Sequence, residues 1–334
     1  MPEGRARPTL ADMHAVRIHD TGGLEVLTYE EIAAPTPGEG QVVVEVAAAG
    51  LNYIDTYHRE GLYPMELPMT LGLEGSGTVA AVGDGVTTLS IGDRVAWSNA
   101  LGSYADLVRV PARLATKVPD DVDLEKAAAV MLQGMTAHYL ALDTYPLRPG
   151  DRCLIHAGAG GVGLLLIQVA KMRGAEVFTT VGSADKAALA KAAGADHVIN
   201  YQVSEFGSAV EEIAGPRPLA VVYDGVGKTV FDRSLDLLRP RGTMVTYGNA
   251  SGPVEPVSPL RLMRGGSLYL TRPTIFDYIA TEEAFRRRCS DLFSWMAAGE
   301  LEVRVGHRFP LADAAEAHRL LEGRMTTGKV LLIP

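Results

Sequence analysis

Leu154-Ile155-His156-Ala157-Gly158-Ala159-Gly160-Gly161-Val162-Gly163 fits the pattern G-x-G-x-x-G between an apolar run and a helix-forming run. Glycines at those spacings permit a tight turn, a close approach of backbone to a pyrophosphate, and tight packing of helix on strand. The start of the following helix adds unpaired N–H groups and a partial positive charge. The chemistry expected of Gly158, Gly160, Gly161, Val162 and Gly163 is dinucleotide binding. About 20 residues on, a site selective for NAD places Asp or Glu to hold the ribose diol. Here the next apolar run ends Thr179-Thr180-Val181-Gly182-Ser183, and the nearest carboxylate, Asp185, is followed at once by Lys186. A small residue, a hydroxyl and an ammonium suit a 2′-phosphate, which a carboxylate would repel. Gly182, Ser183 and Lys186 therefore point to NADPH.

Other reactive residue types lack such spacing. The eight histidines show no metal-ligand pattern, and His156, at a strand end, reads as packed or hydrogen-bonded. Asp55 and Glu74 have no sequence neighbour that would make a carboxylate pair, so structural salt bridges are expected. Cys153 and Cys289 are too few for a disulfide scaffold or a four-thiolate zinc site. Cys153 reads as a small buried hydrophobe, and Trp97 and Trp295 as core or interface.

The elements around these groups read as two domains, as a length of 334 residues suggests. From Met13 to about Arg109, short β-type runs alternate with glycine turns (HAVRI, QVVVEVAAAG, GSGTVAAVG, DRVAWS), predicting a mostly antiparallel β domain. After Pro119 a helix is expected at Leu124–Leu142. Strands follow at Cys153–His156, Glu176–Thr180, His197–Asn200, Ala220–Tyr223, Thr243–Tyr247 and Ser267–Thr271, with helices near Val162–Arg173, Lys186–Ala193, Glu205–Ala214 and Phe231–Leu238. Such alternation implies parallel strands with right-handed crossovers, a doubly wound α/β sheet. Helices at Glu282–Ala298 and Ala312–Leu321 and a strand Val330–Ile333 complete the chain.

Composition narrows the function classes. Apolar residues are 47% and charged residues 21%, an ordinary globular balance, and 31 basic against 40 acidic side chains give a net charge of −9. No basic run suits nucleic acid or an anionic membrane, so small molecules are the expected partners. The longest apolar run, Val162–Val169, falls well short of a membrane span, and Met1–Asp12 lacks a signal-peptide apolar segment. Residues 1–12 read as a flexible leader and the protein as cytoplasmic.

The chain resembles the zinc-free quinone oxidoreductase branch of the medium-chain dehydrogenase/reductase superfamily, from about Met13 to Pro334. The resemblance is carried by Asn52-Tyr53-Ile54-Asp55-Thr56-Tyr57, Gly61-Leu62-Tyr63-Pro64, Gly158–Gly163, Tyr247-Gly248-Asn249-Ala250-Ser251-Gly252 and Ser267-Leu268-Tyr269-Leu270-Thr271-Arg272-Pro273. It implies an NADPH-binding Rossmann domain over 131–273 and a mostly β, GroES-like catalytic domain split into 13–130 and 274–334, with the active site in the cleft between them. A homodimer through the cofactor domains is implied too. It also implies a 2′-phosphate pocket that adds Tyr201 and Arg324 to Gly182 and Lys186, with Thr136 and Asn249 near the nicotinamide and its ribose.

Zinc-dependent relatives carry a Cys where this chain has Asn52, a His where it has Leu73 of Gly72-Leu73-Glu74, and a Cys in the segment Leu132-Gln133-Gly134-Met135. Without three ligands no catalytic zinc is expected, and Lewis-acid activation of a simple alcohol or ketone is lost. The expected substrate is therefore one already electron-poor, a small quinone, with Asn52, Tyr57 and Tyr63 as candidate wall residues offering amide and hydroxyl donors and flat faces. An enone or enoyl-thioester reductase is the enzymatic alternative, and a mainly non-catalytic NADPH-binding protein the alternative of another class.

Overall fold

The computed structural model describes residues 12–334; except for Asp12, the leader expected over 1–12 lies outside them. The strands are β1 (Met13–Ile18), β2 (Thr28–Ile32), β3 (Gln41–Leu51), β4 (Met69–Thr70), β5 (Glu74–Val82), β6 (Arg94–Ser98), β7 (Leu107–Pro111), β8 (Ala115–Lys117), β9 (Arg152–Ile155), β10 (Glu176–Val181), β11 (His197–Asn200), β12 (Leu219–Asp224), β13 (Leu238–Thr246), β14 (Tyr269–Thr271), β15 (Val305–Pro310) and β16 (Lys329–Ile333). The helices are α1 (Tyr53–Glu60), α2 (Leu124–Tyr139), α3 (Gly161–Met172), α4 (Ala184–Ala192), α5 (Phe206–Ala214), α6 (Phe231–Asp236), α7 (Pro259–Arg264), α8 (Ile275–Tyr278), α9 (Glu282–Ala297) and α10 (Ala314–Glu322).

By compactness the described residues divide into a first unit, 12–128 with 308–319 and 331–334, and a second, 129–307 with 320–330. Residues 274–307 and 320–330, expected with the β-rich part, thus lie in the second unit. The cause is visible in α9, whose Asp291 hydrogen-bonds His138 of α2 at 2.8 Å and whose Trp295 stacks on the same imidazole.

The first unit is antiparallel, as its alternating runs require. β3 pairs with β5 and β7, β5 with β6, and β6 with β8. β1 pairs with β2 and β4 in a smaller sheet. Trp97 and Tyr104 fill its core. A helix that the sequence did not announce, α1, starts at Tyr53 with Asn52 as its N-cap. Its N-terminus is closed by a capping box in which the Asp55 carboxylate accepts the Asn52 N–H at 2.8 Å.

The second unit is the expected doubly wound sheet. All its neighbouring strands are parallel, in the order β11-β10-β9-β12-β13-β14, so the order reverses between β9 and β12. Every residue of β12 is buried, as a strand covered on both faces must be. The helix expected over Leu124–Leu142 ends at Tyr139 and passes into a π-turn at Leu140–Thr144. The strand expected from Ser267 starts at Tyr269, because Ser267 takes a left-handed turn with φ of 57°. Among the described residues no helix is long and apolar enough to cross a membrane.

His156, just past β9, is 1% exposed and bonded by both ring nitrogens, to Thr180 Oγ1 at 2.9 Å and Ser234 Oγ at 2.8 Å. This is the packed, hydrogen-bonded histidine expected. Burial lowers its pKa to about 3, and burial with the nearby Arg59 charge does the same for His318. Both folded-state values lie below the unfolded one of ~6.5, so the unfolded chain binds the extra protons. Their contribution is complete above about pH 6.5 and is lost toward pH 3, at roughly 1.4 kcal/mol per pH unit per histidine. Urea unfolding between pH 7 and pH 4.5 should show this slope, and His156→Gln should flatten it. Parallel curves for the two proteins would contradict the assignment.

Candidate functional site

The glycine loop leaves the C-terminal end of β9 at the point where the strand order reverses. Ala157 turns the chain with φ of 55°, and Gly158 N–H donates to Thr180 O at 2.9 Å. Each glycine has its own physical reason. A Cβ on Gly158 would lie 2.0 Å from Thr179 Oγ1, and one on Gly163 would lie 2.4 Å from Ala157 O. On Gly161 it would meet Gln133 Oε1 at 1.8 Å. Gly160 differs: it is extended, with φ of −75°, and a Cβ there has Ala157 O at 3.2 Å as its one near neighbour. Its open side faces free space at the start of α3. The first intrahelical bond is Leu164 N–H to Gly160 O at 2.9 Å, so the amides of Gly161, Val162 and Gly163 have no carbonyl ahead of them in the helix. This cradle fits a phosphate group.

A second feature lies at the tip of β10. Ser183 caps α4, its Oγ accepting the Lys186 N–H at 3.3 Å, which leaves the hydroxyl hydrogen free to donate outward. A Cβ on Gly182 would sit 2.5 Å from the Tyr201 hydroxyl, so an aspartate there would displace Tyr201. Arg324 follows α10 in a left-handed turn, and its carbonyl accepts from Lys186 Nζ at 2.6 Å. What carries Arg324 to this place is the segment after it: Gly328 N–H donates to Ala159 O at 2.9 Å, and Gly328 forms a parallel bridge with Gly160. Gly182, Ser183, Lys186, Tyr201 and Arg324 thus come together beside the glycine loop. Burial and the Arg324 charge lower the Lys186 pKa. Among the described residues no carboxylate pairs with either cation, so two like charges stand together and suit a dianionic phosphate.

The remaining second-unit positions lie elsewhere on it. Thr136 is buried on α2, its hydroxyl donating to Leu132 O at 2.7 Å. Asn249, after β13, accepts from Arg272 Nη2 at 3.2 Å and donates to Gly248 O at 3.1 Å, while Arg272 Nη1 holds Thr246 O at 3.0 Å. Close by, Asp224 ends β12 fully buried, its Oδ1 accepting the Val226 and Gly227 amides. Burial raises its pKa to about 6 against the pull of those amides and of Arg272. Sequence reasoning gave Arg272, Asp224 and Gln133 no role. Arg272 and Gln133 stood inside quoted segments, but only folding brings them to Asn249 and to Gly161.

In the first unit, α1 and the loop after it gather aromatic rings. Tyr57 meets Tyr63 edge to face at 5.4 Å between centroids and Tyr53 at 6.4 Å. Tyr57 is 7% exposed, and Tyr63 is more open. Asn52 is buried, and its Nδ2 donates to Glu74 Oε1 at 2.6 Å and to Gly50 O at 3.3 Å. Both amide hydrogens are engaged within the unit, which corrects the expectation that Asn52 offers a donor to a substrate. Glu74 accepts from the Asn52 side chain, and Asp55 from the Asn52 backbone and the Tyr104 hydroxyl.

Comparison with known proteins agrees with this architecture. Residues 38–120 match the model of the alcohol dehydrogenase GroES-like domain, and residues 161–297 that of the zinc-binding dehydrogenase domain. A quinone oxidoreductase of Pseudomonas aeruginosa is 45% identical over 94% of this chain and 97% of its own length. A 2-haloacrylate reductase of a Burkholderia species is 40% identical over 96% of this chain and 98% of its own. The crystal structure of Escherichia coli quinone oxidoreductase complexed with NADPH superposes with a TM-score of 0.94 at 44% identity, covering 96% of this chain and all of that one. The chain therefore belongs to the medium-chain dehydrogenase/reductase superfamily, in its quinone oxidoreductase branch.

Proposed function

We propose that this protein is an NADPH-dependent, zinc-independent quinone oxidoreductase. The observation that carries the reading is the pair Lys186 and Arg324, two cations that no carboxylate pairs with among the described residues, beside the phosphate cradle of α3. Gly158, Gly160, Gly161, Val162 and Gly163 receive the pyrophosphate through backbone amides; Gly182, Ser183, Lys186, Tyr201 and Arg324 receive the 2′-phosphate. Thr136 and Asn249 serve the nicotinamide and its ribose. NADPH, when bound, supplies the hydride. The first unit is the substrate part, where Tyr57 and Tyr63 offer flat faces and hydroxyl donors to a small quinone. Asn52 caps the helix that carries Tyr57, with its side-chain amide donating to Glu74 and Gly50 O within the unit.

Zinc independence rests on the donor set. Asn52 spends its amide on Glu74, Leu73 is an apolar buried residue, and among the described residues no three His, Cys, Asp or Glu side chains converge. Cys153 and Cys289 are buried and not joined in a disulfide, which supports a reducing, cytoplasmic setting. Association into a homodimer through the second unit is supported by β14, an edge strand whose Tyr269 is exposed, and by exposed Leu260, Met263 and Phe276 on the neighbouring α7 and α8.

A second reading, reduction of a carbonyl-conjugated alkene, is favoured by the likeness to the 2-haloacrylate reductase. It demands a proton placed on carbon, whereas a reduced quinone takes protons on oxygen. A panel of small quinones, enones, 2-haloacrylates and enoyl thioesters with NADPH separates the two. Quinone turnover should dominate and survive prolonged chelation; dominance of the alkenes with inert quinones would overturn the proposal.

A further inference from the structure

The rings of α1 are carried on a helix whose other side is held by a directed chain of polar side chains. Asp55 and Arg59, one turn apart, share that side, about 200° around the helix from Tyr57 by way of Asp55. Arg59, Asp55, Tyr104 and His318 are each at most 1% exposed, although three of them are ionisable and one is a guanidinium. Gly72, with φ of 90°, makes room: a Cβ there would lie 2.4 Å from Tyr104 Cδ1.

The direction of every bond follows from the donor inventory. Arg59 can only donate, so its Nη1 donates to His318 Nδ1 at 3.2 Å. The imidazole hydrogen is therefore on Nε2, which donates to the Tyr104 oxygen at 3.3 Å. Tyr104 then has its single hydrogen for Asp55 Oδ2, at 3.0 Å, and the same oxygen accepts the Asn52 N–H at 2.8 Å. Arg59 is further fixed by Nε to Gly22 O at 3.2 Å and by Nη2 to Glu60 at 2.8 Å. His318, 259 residues from Arg59 in sequence, thus grips α1 at both Arg59 and Asp55.

Packed apolar side chains would hold α1 about as firmly, since replacing buried ionic networks with apolar ones is often neutral for stability. What the chain adds is one permitted rotation of the helix, because each bond has a fixed polarity. We propose that His318, acting through Tyr104, is a positioning residue that sets the orientation of the Tyr53 and Tyr57 face of α1 and with it the binding of the quinone. The proposal rests on the reading of that face as the substrate wall.

The test uses the full protein with NADPH and a small quinone. Tyr104→Phe removes the link to Asp55. His318→Asn keeps an acceptor for Arg59 but loses the donor at the Nε2 place, which His318→Gln restores. Quinone KM should rise about 10-fold or more in Tyr104→Phe and His318→Asn, as misplaced binding groups require. His318→Gln should stay within about 3-fold, and the NADPH Kd, read by fluorescence, should not move in any variant. The proposal is overturned if all three variants lower Tm and leave quinone KM unchanged, or if KM and NADPH Kd weaken together. Tyr57→Leu separates the two levels. If it raises KM while Tyr104→Phe and His318→Asn do not, the positioning role alone fails; if it leaves KM unchanged, the wall reading fails and takes this inference with it.

Discussion

A Gly160→Val protein is expected to melt close to wild type and to lose dinucleotide affinity by about 100-fold or more. The backbone at Gly160 is extended, so a β-branched residue meets no conformational penalty there. The one near neighbour of the new Cβ, Ala157 O at 3.2 Å, needs to yield only slightly, so the stability change should stay within about 1 kcal/mol. The side chain instead occupies the space through which a phosphate reaches the first amides of α3, and each charge-assisted bond lost costs about 1.5–3 kcal/mol. Gly163→Ala should behave in the opposite way. Its Cβ would stand 2.4 Å from Ala157 O and 2.8 Å from Gly158 Cα, both backbone atoms with nowhere to go. A loss of about 1–3 kcal/mol is expected from that overpacking. Thermal melts and NADPH titrations run side by side on the two variants check both halves. Wild-type binding by Gly160→Val would mean that the phosphates lie elsewhere.

Cofactor selectivity should change most at Lys186. Lys186→Ala removes one of two cations that no carboxylate neutralises among the described residues, and loss of a charge-assisted contact corresponds to about a 10- to 150-fold weaker NADPH complex. NADH, lacking the third phosphate, should be affected no more than about 2-fold, an interval inside ordinary surface effects. The NADPH affinity of the wild-type protein should also weaken with added salt more steeply than its NADH affinity, because the pair is partly exposed. Equal losses for the two dinucleotides in the variant would remove the 2′-phosphate from this corner of the protein.

How much of this was legible in the sequence depended on the range of the interactions. The strands at Cys153, Glu176, His197 and Ala220 announced themselves as short apolar runs broken by helical stretches, and the parallel sheet follows from that alternation. α1 escaped notice because its first turn reads as part of a motif, although Asn52-x-x-Asp55 carries a capping-box spacing. β2 has no buried residue and so shows no apolar alternation. Lys186 could be read locally, since it follows a strand tip at a known distance. Arg324 could not: it reaches Lys186 only because Gly328 bridges to Gly160, a backbone pairing that side-chain pattern does not encode. The engagement of Asn52 by Glu74 was hidden for the same reason, 22 residues of separation closed by the pairing of β3 with β5.

The bridge between Gly328 and Gly160 also bears on the order of folding. The glycine loop follows directly on β9, yet the strap that steadies it and brings Arg324 to Lys186 comes from a segment beyond α10, far away in the chain. Local folding of β9 and α3 therefore leaves the glycine loop without its strap until that distant segment docks on it.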